Sequence, residues 1–208
     1  MNAKKLSFLL LILVAVACTN RSTSSEQDEM RHWNNVLQQI NALLLENKAR
    51  QTLDLAKQTL PEILESAEKN GTTDTLIYYA RKIFNACGNN YINTKQYKDG
   101  IDYMDSIGNH PLIREHCPHE LLSFKAGLNQ LYGNNPEAVR LAEDYLQLPV
   151  CTSANDFIRQ AEIISGVYMY SGNNLPKAIQ ILEKAIDVYR KGGNFPNMLR
   201  IMSRLGIY

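Results

Sequence analysis

The 208-residue chain has no surplus of charge of either sign: 22 Lys and Arg stand against 21 Asp and Glu, a formal net charge of +1. Without a basic excess there is no electrostatic footprint for nucleic acid. Cysteine is scarce, four residues in all, which excludes a disulfide-dense fold. Eleven glycines and seven prolines without a period exclude a collagen-like or mucin-like chain. The longest apolar run is twelve residues, Leu6 to Ala17, broken by Ser7. As a helix it would reach about 18 Å at ~1.5 Å per residue, short of the ~30 Å hydrocarbon core, so a stable span is not expected. Catalytic signatures are missing too: there is no G-x-S-x-G elbow, no G-x-x-x-x-G-K-[ST] loop and no H-E-x-x-H. What remains is 45% apolar residues, enough for a packed core and too many for a disordered chain.

Two lysines, Lys4 and Lys5, precede the apolar run, and Ala15-Val16-Ala17 leads directly into Cys18. A charged start followed by a short greasy stretch is the order of a secretory signal. Small residues ahead of a cysteine resemble the bacterial lipoprotein signal, with Ala15 where that pattern more often has Leu. The resemblance implies cleavage of residues 1–17 and lipidation of Cys18, and so a membrane partner reached through acyl chains. The other reading of the same residues is a plain signal peptide with an incidental cysteine. Residues 18–26 are polar and aperiodic, as a flexible tether would be. Thr19, where the family's inner-membrane retention signal has Asp, leans the expected address toward the outer membrane of a cell envelope.

From Glu26 onward apolar positions recur at helical spacing, and no stretch alternates as a strand would. Val36, Ile40, Leu43 and Leu44 share one predicted face, and Ile179, Leu182, Ala185, Ile186 and Tyr189 another. Expected helices cover 27–46, 48–59, 61–70, 73–93, 96–107, 119–132, 136–147, 154–171, 176–191 and 196–208, with Pro61 either a break or a kink. The set Trp33, Val36, Ile40, Ala49, Leu53, Ala56 and Pro61 has the offsets of one tetratricopeptide repeat, a helix A followed by a helix B with two small residues. Later copies follow: Gly88 and Tyr91 with Gly100; Ala126 with Ala138; Ser165 and Tyr168 with Ala178, Leu182 and Ala185; then Leu205-Gly206. The small helix A positions Gly88, Ala126, Ser165 and Gly206 are more widely spaced than in the standard 34-residue repeat. The chain thus resembles the tetratricopeptide-repeat family over 27–208. That resemblance implies an all-α, right-handed superhelical solenoid of antiparallel helix pairs, in which small residues allow close helix approach.

Gly-Asn-Asn occurs at 88, 133 and 172. The last two copies fall in turns, where glycine admits φ > 0 and asparagine caps the next helix. The first falls inside a helix and reads as coincidence. The final stretch ends on an apolar helix A without a helix B, so the sequence is expected to be a piece of a longer protein.

His110, His116, Cys117 and His119 lie within ten residues and are the ligand types zinc or copper takes. Their spacing matches no standard metal motif, and Pro111 and Pro118 mark an ordinary loop. Cys117 and Cys151 flank one hairpin and are candidates to pair, whereas Cys87 beside Gly88 reads as a buried small residue. The carboxylates Asp102, Asp105, Glu143 and Asp144 fall on predicted solvent faces. Among eleven tyrosines, Tyr91 and Tyr168 fit the repeat core, and Tyr132 and Tyr170 are free to face a groove. Three functions follow: a membrane-anchored scaffold binding a protein or peptide without catalysis or cofactor; the extracytoplasmic sensor of a longer signalling protein with output beyond Tyr208; and a metal-binding protein or enzyme using the histidine loop.

Overall fold

A computed structural model describes residues 27–149 and 154–191, and beyond them 196, 198, 199, 202 and 203. Among the described residues the chain is helical, with no strand. Helix α1 covers 27–45, and α2 (Ala49–Asn70), α3 (Asp74–Asn93), α4 (Tyr97–Gly108), α5 (Pro111–His116), α6 (Pro118–Tyr132), α7 (Asn135–Gln147), α8 (Ala154–Tyr170) and α9 (Leu175–Lys191) follow.

Two boundaries differ from the sequence reading. Pro61 lies within a continuous α2. Its missing N–H costs one backbone bond, but Leu60, Ile63 and Leu64 on either side are all buried in one core cluster and hold both halves of the helix in place. The expected loop between Gly108 and Pro118 contains the short helix α5, begun by Pro111 at its first turn and capped by His110, whose Nδ1 accepts from the Leu112 N–H at 3.2 Å. Leu112 and Ile113 are buried, so this turn is part of the core.

Neighbouring helices pack in sequence: α2 on α3, α3 on α4, α6 on α7, α7 on α8 and α8 on α9. α1 joins α2 through His32 and Glu62 (3.3 Å) and through the Ser66 hydroxyl donating to Glu29 (2.8 Å). Helices two or three steps apart also touch, α3 with α6 and α6 with α8. Five helix ends are followed by a residue at positive φ: Asn47 (56°), Lys95 (58°), Gly133 (96°), Gly71 (84°) and Asn173 (44°). In the first three the next N–H returns to a carbonyl five residues back, Lys48 to Leu43, Gln96 to Tyr91 and Asn134 to Asn129 at 2.8 to 3.1 Å. Such bonds satisfy carbonyls that a helix end leaves orphaned.

The two Gly-Asn-Asn turns solve this differently. In one, Gly133 takes the positive φ, and Asn134 gives its side-chain N–H to Asn129 instead of capping α7. In the other, Asn173 takes the positive φ and the Asn174 side chain accepts from the Lys177 N–H.

Small residues mark where helices approach. A Cβ on Gly88 would stand 2.4 Å from the Phe124 ring, and one on Gly127 would stand 2.7 Å from Ile163 Cγ2, so α6 lies tight against both α3 and α8. Helix α6 also belongs to both core clusters: Phe124 and Leu128 join the first, Ala126 the second. Of the residues expected to pack the repeats, Trp33, Ala56, Tyr91, Ala138, Tyr168, Ala178 and Ala185 are buried, and Gly88 lies under Phe124. Ala49 is only half-buried. Thr52 takes the fully buried place in that turn, its hydroxyl donating to the Lys48 carbonyl.

Candidate functional site

A groove of about 370 Å³ lies between α1 and α3. Large apolar residues on the core side hold the helices together, and polar residues one step round each helix are left facing the gap. Its floor is Leu37, Ile40, Ala86 and Asn90. Asn41 lines it from α1 and Asn85 and Asn89 from α3, the last two one helical turn apart. Tyr78 and Lys82 stand toward one end and Leu44 toward the other. Tyr79 of α3 meets Trp33 of α1 at 5.9 Å between centroids and bridges the two helices, and Tyr78 meets Tyr79 edge-on at 5.4 Å within α3. Lys82 Nζ lies 5.7 Å from the Tyr78 ring centroid.

The chemistry of this lining is distinctive. Asn90 is fully buried; its Nδ2 donates to the Ala86 carbonyl, while Oδ1 has no hydrogen-bond partner. Buried polar atoms are nearly always partnered, so Asn90 Oδ1 is an exception within the packed wall below the groove. Each of the other amides carries both a donor and an acceptor, the pair needed to read a peptide N–H and C=O. Among the lining residues Lys82 is the one with a full charge and none is acidic.

The sequence signal for this groove is Asn85 and Asn89 at helical spacing on α3. Asn89 and Asn90 belong to the Gly-Asn-Asn copy read as coincidence: Gly88 admits the Phe124 ring while the two asparagines line the groove. Leu44, expected on a buried face, is 42% exposed at the groove's end. Tyr132 and Tyr170 are exposed at the ends of α6 and α8 and do not line it.

The histidine loop residues are directed to different partners. His110 caps α5 through Nδ1 and sets Nε2 3.2 Å from Glu68. The His116 carbonyl accepts from Arg81 at 2.5 Å. His119 Nε2 donates to the Pro149 carbonyl at 2.7 Å, and its ring meets Tyr145 edge-on. Cys117 is fully buried. Among the described residues no three His, Cys, Asp or Glu side chains converge to hold a metal ion, so the loop's ligand types are not brought together. Cys151, the proposed partner of Cys117, and Cys18, the proposed lipid site, lie outside the described residues.

The carboxylates are paired. Asp102 meets Lys98, Asp105 meets Lys125 at 2.5 Å, Glu143 meets Lys177 at 2.5 Å and Asp144 meets Arg140 at 2.6 Å. Hydrogen bonding to Lys177 holds the Glu143 carboxyl below its ordinary range. Glu120, 2% exposed, pairs with Arg81 Nε at 3.2 Å between α3 and α6, a buried charge that needs such a partner. A buried thiol stands apart from these: Cys87 Sγ lies 3.9 Å from Tyr103 Oη, and burial pushes its pKa up to about 12. That thiol is protonated and inert as a nucleophile at neutral pH.

No family model matches the chain, and neither a curated protein nor a solved structure matches it significantly.

Proposed function

We propose that this chain is a tetratricopeptide-like scaffold, lipid-anchored through Cys18 on the envelope side of a membrane, that binds an extended segment of a partner protein and carries out no catalysis. The observation that carries the binding role is the α1/α3 groove, with Asn41, Asn85 and Asn89 along its lining beside the apolar Leu37, Ile40 and Ala86. An extended peptide has unpaired N–H and C=O groups along both edges, and side-chain amides on rigid helices satisfy them without ordering a loop. The repeat reading is supported by the packing of α3 on α6 and α6 on α8, by the recurring positive-φ turn, and by the small residues at the helix contacts.

Selection of displayed random peptides on the purified chain tests the groove. Enriched peptides should bind the wild type and lose roughly tenfold in affinity on Asn85→Ala with Asn89→Ala, since two hydrogen bonds of about 0.5–1.5 kcal/mol each are removed. Equal affinity for the double variant sinks the groove as the binding site. The anchor is tested separately by mass spectrometry of the native N-terminus. A diacyl or triacyl mass on Cys18 supports it, and an intact Met1 contradicts it. Among the described residues no helix is long and apolar enough to cross a membrane.

A further inference from the structure

A second cavity, of about 300 Å³, lies between α7 and α9, and the α1/α3 groove shares no residue with it. That volume is at the small end of ligand pockets, roughly 300–1,000 Å³. Its walls are apolar: Leu146 and Tyr145 come from α7, Leu148 and Pro149 follow it, and Ile181 and Val188 lie seven residues apart on α9. One step round α9, Lys184 and Lys191 form a parallel stripe on the same cavity, also seven residues apart, with Asp187 between them. Asp187 is taken up by Arg190, whose Nη1 lies 3.1 Å from Oδ1. Lys48, Lys69, Lys98, Lys125 and Lys177 each sit on a carboxylate. No ion pair joins Lys184 or Lys191 to an acid among the described residues. Lys191, in the last turn of α9, is favoured there by the helix dipole. Lys184 is mid-helix and has no such reason. The wall beside Pro149 is held in place by the His119 Nε2–H bonded to its carbonyl, with the His119 ring against Tyr145.

An apolar cavity with two ammonium groups along one side, neither joined by an ion pair to an acid among the described residues, matches a ligand with a hydrocarbon tail and an anionic head. We infer that the α7/α9 cavity is a binding site for a single-chain anionic amphiphile, its tail among Leu146, Ile181 and Val188 and its head between Lys184 and Lys191. The site is independent of the peptide groove and survives the failure of that reading.

The test is photolabelling of the full chain in its membrane with a diazirine-bearing dodecanoate, followed by mapping of the labelled residues. Label is expected on 145–149 and 181–191. Unlabelled dodecanoate should compete it away, and dodecyltrimethylammonium, with the same tail and the opposite head, should not. The exposed substitutions Lys184→Glu and Lys191→Glu together should cut that label about tenfold, the loss of two rim charge contacts, while lowering the melting temperature by only a few degrees as Lys191 gives up its favourable place at the helix end. Label absent from both segments, label undiminished in the charge-reversed chain, or equal competition by the two amphiphiles would each overturn the assignment.

Discussion

At the scale of single residues the buried polar and sulfur groups are the most informative. Cys87, on α3, is fully buried and faces Tyr103 of α4. Burial raises its pKa to about 12, against about 8.5 for an unperturbed thiol. Burial also raises Tyr91 and Tyr103 above the ordinary phenol range. The folded state therefore keeps protons that the unfolded chain releases. The stability these groups contribute is complete below pH ~8.5 and declines as pH rises toward 12. The melting temperature should fall between pH 8.5 and 11, and Cys87→Ala should make the fall shallower. A melting temperature constant across that range would contradict this account. Tyr91 and Tyr168 were legible as core residues from their place three after a small residue. Asn129 occupies the equivalent position after Ala126, and there the Asn134 side chain takes up its Oδ1. A polar residue in that place hides the repeat, because its partner lies in the following turn and no hydrophobic period reveals it.

At the scale of elements, helix existence was readable because the apolar period is strong, and ends were readable where Gly and Asn punctuate them. The missed elements have physical reasons. α5 has only six residues, too few to show a period, and its two buried side chains, Leu112 and Ile113, are adjacent. Lys95 adopts the left-handed turn conformation without the glycine that would signal it. Helix α9 offers the cleanest test of the helix-packing register. Ala178 is fully buried, whereas Lys184 is exposed. Ala178→Arg adds volume and a charge to a closed contact and should destabilise by about 3 kcal/mol or more. Lys184→Ala should stay within about 0.5 kcal/mol. Chemical denaturation of both variants checks the pair; equal midpoints would mean that the assigned faces of α9 are wrong.

At the scale of the whole molecule, helices pack in neighbouring pairs, and α6 links two core clusters by packing tightly on α3 and α8. The all-helical class was evident from the sequence, since apolar spacing of three and four persists along the chain. The candidate site was not. A groove depends on how far apart two helices stand, bridged here by Trp33 and Tyr79, and a sequence carries no direct signal for that distance. The histidine loop shows the converse: close sequence spacing of ligand types, yet partners as separate as Glu68 and the Pro149 carbonyl. The measurement that tests the account most directly is site-specific photo-crosslinking of the full chain with a groove-selected peptide. The crosslinker is placed in turn at Asn41, at Asn89 and at the exposed Gln58 of α2. The account predicts peptide adducts from 41 and 89 and none from 58; adducts from 58 with none from the groove positions would contradict it.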